Sequence, residues 1–258
     1  MSKFAEKGML SGDFLKEIIN NKVEIFKMLT KWSDDDYKFY NELLNKAKKI
    51  SKSKESTTKD VGNALEGLVC FLFNKTYFFE IAKNVRTKTN EIDQVIRLSN
   101  NGRQALKTFG ISEDILEFPC DMFLGECKNY KDNIGVTWIG KFYGLLKTCD
   151  CNFGMIFSLK DLTGNLNKGT DAYGLIRTFS LIEKYKHDNE FYIIPFGLSD
   201  FERIGIDSDN SFFDIIRAKK ESIRLSSNYD KFIEKFKNDL DDVDKDVANQ
   251  INKFKQIE

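Results

Sequence analysis

Three apolar runs separated by two helical patterns constrain this chain more than any other feature. Met122 to Cys127, Asn152 to Ser158 and Glu190 to Phe196 each read as a short strand with few charges. Between the first two, Ile139, Phe142, Tyr143 and Leu146 follow i, i+3, i+4, i+7 spacing, so residues 135–149 read as a helix. Asp171 to Tyr185 is a second helical stretch. Apolar strands alternating with helices predict a partly parallel sheet with right-handed crossovers, hence an α/β fold.

Upstream, strands are expected at Tyr77 to Ala82 and Glu91 to Leu98, joined by the polar turn Asn84 to Asn90. Ser99-Asn100-Asn101-Gly102-Arg103 reads as a turn, and residues 103–118 as an insertion with a short helix around Ser112 to Leu116. Residues 60–74 form a helix whose Val61, Leu65, Leu68 and Leu72 share a face, with Glu66 the one acid inside it.

Residues 10–50 read as a helical hairpin. Ser11 caps the first helix, which carries Phe14, Ile18, Ile19, Phe26 and Leu29. Ser33 followed by Asp34, Asp35 and Asp36 starts the second, since acids favour a helix N-terminus. Lys46 to Lys59 is basic and polar, a linker or a phosphate-contacting loop. The tail has a helix near Ser211 to Lys220. An amphipathic pattern over Tyr229 to Lys255 suits packing on the domain or a partner helix. These readings divide the chain into an N-terminal helical appendage (1–58), a central domain (59–205) and a C-terminal helical extension (206–258).

Composition narrows the chemistry. Forty basic residues balance 40 acidic ones, which counts against a protein that coats nucleic acid non-specifically. With 41% hydrophobic and 31% charged residues the chain is globular, and its 23 Phe predict a Phe-rich core. Five cysteines, with Cys149 and Cys151 spaced Cys-x-Cys and no second pair, read as thiols of a reducing cytoplasm. The single histidine, His187, lies in a charged stretch at a helix end, so histidine-dependent triads, paired-histidine nucleases and zinc sites are not expected. No run approaches the roughly 20 apolar residues of a membrane span, and the first residues lack a signal sequence. A cytoplasmic location and no membrane partner follow as expectations.

Candidate chemistry centres on Phe123-Leu124-Gly125-Glu126-Cys127-Lys128-Asn129-Tyr130. Strand alternation puts Glu126 and Lys128 on one face. One strand earlier, Asn90-Glu91-Ile92-Asp93-Gln94-Val95-Ile96 places Asp93 within an apolar run. Phosphodiester hydrolysis needs the phosphate charge offset, a water deprotonated and the leaving oxygen stabilised. Carboxylates holding one or two Mg²⁺ ions supply much of this, and a lysine orients the nucleophile or stabilises developing charge. Asp93 and Glu126 are the expected ligands, with the Cys127 backbone carbonyl facing the ion and Lys128 as catalytic lysine. Glu66 would add a ligand or hold a metal-bound water. The plain alternative is a buried Glu126–Lys128 ion pair on an ordinary α/β sheet.

A helix with an internal Glu, then a strand Asp, then Glu-x-Lys, then a helix and a strand, resembles the PD-(D/E)xK nuclease superfamily. Glu91-Ile92-Asp93, Gly125-Glu126-Cys127-Lys128-Asn129-Tyr130 and Phe153-Gly154-Met155-Ile156-Phe157-Ser158 before Thr163-Gly164 bring it near the Mrr-like, restriction-endonuclease-type branch. The resemblance covers residues 60–200. It implies a restriction-endonuclease-like αβββαβ core with a central mixed sheet flanked by helices. It also implies Asp93, Glu126 and Lys128 as catalytic triad, Glu66 as helix acid, and Mg²⁺ (or Mn²⁺) as cofactor. Ile92 stands where the eponymous Pro would be, and the 33-residue step from Asp93 to Glu126 requires an insertion. The implied activity is that of a metal-dependent DNA endonuclease in restriction or anti-phage defence, acting on duplex DNA. Cutting two strands takes two sites, which a homodimer through the N- or C-terminal helices would provide. An RNA or structure-selective nuclease, and a catalytically inactive binding or assembly module, are the other readings.

Overall fold

The computed structural model describes residues 11–86, 91–119, 121–129, 132–165, 168–205 and 211–225, with side chains from residue 18 onward in the first helix. The side chains of Ser11 and Phe14 in the expected first helix, and the amphipathic pattern over 229–255, therefore lie outside what is described. The elements are α1 (Ser11–Thr30), α2 (Asp34–Lys52), α3 (Thr58–Asn74), β1 (Phe79–Arg86), β2 (Glu91–Leu98) and α4 (Asn100–Phe109). A 3₁₀ turn (Glu113–Leu116) leads to β3 (Phe123–Cys127), α5 (Val136–Thr148), β4 (Phe153–Phe157), α6 (Asp171–His187), β5 (Tyr192–Phe196), α7 (Leu198–Arg203) and α8 (Phe212–Leu225).

Five strands form one sheet in chain order, β1-β2-β3-β4-β5. β1, β2 and β3 pair antiparallel, whereas β3, β4 and β5 pair parallel. The fold is thus α/β with a mixed sheet flanked by helices, as the alternation of apolar strands and helices led one to expect. On one face, Phe123 packs against Phe73 of α3, which meets Phe212 of α8. On the other, Gly154 leaves room for α5, since a Cβ there would lie 2.7 Å from the Phe142 ring. The α5–α6 layer is closed by Tyr143 stacked on Phe179 at 3.8 Å. Beneath it Glu183, with no exposed surface, accepts from Tyr143 Oη at 2.6 Å and pairs with Lys147 Nζ at 2.9 Å.

α2 starts where the sequence places it. Ser33 accepts from Asp36 N, and Asp36 accepts in return from Ser33 N, a capping box. Thr57 and Asp60 repeat that box at the start of α3. The hairpin joins the same apolar core, with Phe26 against Phe78 and Phe213, and Tyr40 Oη donating to the Phe201 carbonyl.

Four local expectations are corrected. The basic stretch from Lys46 is helical through Lys52, because Tyr40, Leu44 and Ala47 anchor that helix inward. β1 runs through Asn84 to Arg86, where a turn was expected, because Val85 and Arg86 pair with Ile92 and Glu91. Ser99 to Arg103 is a helix start: Ser99 Oγ accepts from Gly102 N at 2.9 Å and opens α4. Gly102 is required there, since a Cβ would stand 2.4 Å from the Phe78 carbonyl oxygen. α7, unanticipated, begins when Gly197 N donates to Asp200. Among the described residues no helix is long and apolar enough to cross a membrane.

Candidate active site

Register decides which side chains meet. Gln94 faces Gly125 across β2 and β3, so one step further Asp93 stands beside Glu126 on the α5 side of the sheet. Two contacts fix this corner. The Cys127 N–H donates to Asp93 Oδ2 at 3.0 Å. Lys128, whose own N–H continues the pairing with β4 by donating to the Phe157 carbonyl, turns its ammonium back onto the acids. Its Nζ lies 2.5 Å from Glu126 Oε1 and 3.8 Å from Asp93 Oδ2. All three side chains are largely but not fully covered, at 14–22% exposure, so the corner still meets solvent while the dielectric around it is lowered.

The electrostatics follow from crowding. Burial raises the Glu126 carboxyl above its ordinary range, the Asp93 charge raises it further, and Lys128 opposes both. Two partly buried carboxylates at one strand end form an all-oxygen donor set, which suits a hard divalent cation such as Mg²⁺. Such an ion would relieve the repulsion that Lys128 only partly offsets.

Glu66 is placed differently. Its helix lies on the opposite face of the sheet, and its half-buried carboxyl is raised first by burial and then by the Asp93 charge, with Lys83 and Lys128 opposing. It is thus within electrostatic reach of the corner. Among the described residues no three His, Cys, Asp or Glu side chains are gathered as a ready ligand set, so Glu66 does not complete one here. The Cys127 thiol points to the α3 side, where it accepts from Gln94 Nε2 at 3.5 Å, and burial pushes its pKa up. Cys70, Cys149 and Cys151 are also free thiols. His187 ends α6 in solvent, where the sequence puts it.

Sequence reasoning missed three neighbours of this corner. Lys128 Nζ and Lys141 Nζ both lie over the Trp138 ring, 4.9 and 4.6 Å from its centroid, so Trp138 helps aim the lysine. Its signal was an aromatic in the first turn of the helix after Glu-x-Lys. Gln94 is fully buried beside Asp93, and its Oε1 has no hydrogen-bond partner. Both carboxamide atoms of Asn129 are likewise buried without a partner. An amide inside an apolar strand and another directly after the lysine were the available hints.

No family model, no curated protein and no solved structure matches this chain.

Proposed function

We propose that this protein is a metal-dependent nuclease of the PD-(D/E)xK type, acting on DNA as an endonuclease in restriction or anti-phage defence. The observation that carries the reading is the Asp93–Glu126–Lys128 corner: two carboxylates from adjacent strands and one ammonium within 4 Å of both. The order α3, β1, β2, β3, α5, β4 also supports it, with α4 as the insertion that the Asp93–Glu126 separation demands.

In this reading Asp93 and Glu126 hold the divalent ion. When bound, the ion offsets phosphate charge and lowers the pKa of a water. The Cys127 N–H holds the Asp93 carboxylate by one oxygen, which fixes its direction and leaves the other oxygen to ligate. Lys128 exchanges Glu126 for the phosphate oxygens, and Trp138 keeps its ammonium at the strand end as it does so. Glu66 adds negative charge behind the corner, within electrostatic reach of Asp93.

Supercoiled plasmid incubated with Mg²⁺ tests this reading. Wild type is expected to nick and linearise it, and Glu126→Ala and Lys128→Ala are expected not to. Cleavage unchanged in both variants would remove the site assignment. Parallel incubation with single-stranded DNA and RNA decides the substrate.

A further inference from the structure

Beside the carboxylate corner, the carboxyl ends of β4 and β5 hold a half-open recess of about 70 Å³. Its floor includes Ile156 and Pro195, which are register partners, and Ile156 is in turn the partner of Glu126. The recess therefore lies one to two strand spacings from Glu126, roughly 5 to 10 Å. That is the range over which a nucleotide's base stands off its own phosphate.

The lining selects a ligand class. At its base Asp200 and Lys219 form an ion pair at 2.9 Å, with side chains only 2% and 8% exposed. Lys160 and Asp161 add one charge of each sign, so the four lining charges cancel. A recess with no net charge does not draw a phosphate. Hydroxyls of Tyr173, Ser158 and Ser199 stand among apolar walls from Ile134, Leu162 and Phe196. Burial, then the charges of Asp200 and Asp161, push the Tyr173 hydroxyl up to about 12, so it remains a donor at neutral pH. Donors and acceptors over apolar walls, without net charge, suit a flat neutral heterocycle. The volume equals about two waters at roughly 30 Å³ each, enough for the edge of a base but not for a nucleotide.

The geometry points to a nucleobase subsite that takes the edge of one unstacked base beside the phosphate held at Asp93, Glu126 and Lys128, and so confers base preference next to the cut. This inference rests on the nuclease reading. Ser199 is exposed at the rim, so Ser199→Phe plugs the mouth without disturbing the core. Tyr173→Phe removes one hydrogen-bonding group and keeps the ring.

Oligonucleotides randomised one position at a time around the cut provide the test. Wild type is expected to prefer one base at one flanking position by about tenfold or more. Tyr173→Phe should shrink that preference and Ser199→Phe abolish it, with cleavage of the disfavoured sequences retained. Equal cleavage at all positions by wild type, or a preference that survives Ser199→Phe, overturns the subsite. Thermal melting with each of the four nucleosides separates this failure from failure of the nuclease reading, because it needs no cleavage. One nucleoside that stabilises wild type and Lys128→Met alike, but not Ser199→Phe, sustains the subsite in a chain that does not cut. In such a chain, no stabilisation by any nucleoside overturns it.

Discussion

Asp93 Oδ2 accepts the Cys127 N–H at 3.0 Å, so a carboxylate of β2 is tied to β3 between the two residues it must work with. That bond closes the β2–β3 ladder one step beyond the last regular pair, Gln94 with Gly125. Asp93→Asn keeps an acceptor and Asp93→Ala does not. Urea denaturation should find the Ala variant about 1–3 kcal/mol less stable and the Asn variant close to wild type. Both should lose Mg²⁺-dependent cleavage, which separates the structural from the chemical part of Asp93.

Lys128 is expected to have two measurable roles. Lys128→Met keeps an unbranched side chain and removes the ammonium that lies over Trp138. Cleavage should fall about 10²-fold or more, the scale of losing one group aimed at developing charge. Without the ammonium, Glu126 and Asp93 repel each other when both are ionised. The variant should therefore be destabilised more at pH 7 than at pH 4.5, as read from denaturation midpoints at the two pH values.

The raised Glu126 carboxyl gives a pH signature with a definite sign. Its folded pKa lies above the ordinary glutamate value of 4.5. Its contribution to stability is thus fully present below about pH 4.5 and is lost as pH rises through the folded value. Glu66 shifts in the same direction. Glu126→Gln should gain thermal stability relative to wild type as the pH is raised above 4.5. Mg²⁺ should stabilise wild type at pH 7 and have little effect at pH 4.5 or on Glu126→Gln.

Glu183 lies far from the corner in function, though it is buried. Tyr143 and Lys147 outweigh the burial that would raise its carboxyl, and the net shift is downward. Glu183→Ala leaves the Tyr143 hydroxyl and the half-exposed Lys147 without their acceptor. A loss of about 2 kcal/mol is expected in urea denaturation, with Mg²⁺-dependent cleavage per folded molecule unchanged.

The strands around Glu126 were legible because parallel strands covered on both faces read as unbroken apolar runs, as in Phe153 to Phe157. The second helix was legible from Ser33 and the acids after it, and α3 from its apolar face of Val61, Leu65, Leu68 and Leu72, whereas its Thr57 cap lay inside the stretch read as a linker. The start of α4 was not. Ser-Asn-Asn-Gly suits a turn and a capped helix equally, and only the close approach of Gly102 to Phe78 decides between them. At the site, alternation put Glu126 and Lys128 on one face, and the ordered motif added Asp93. Neither reveals that Asp93 is held by the Cys127 N–H or that Trp138 sits under Lys128, because both depend on register and helix docking. Glu66 was read as an acid of α3, but no local pattern tells which face of the sheet a preceding helix covers.

Diffraction from crystals soaked in Mn²⁺, recorded for its anomalous signal, tests the central claim most directly. The expected result is a peak between Asp93 and Glu126, with the Lys128 ammonium moved off Glu126 Oε1 from its present 2.5 Å. Saturating Mn²⁺ that leaves no peak there, with the Lys128–Glu126 pair intact, would contradict the account and leave the corner as a buried ion pair.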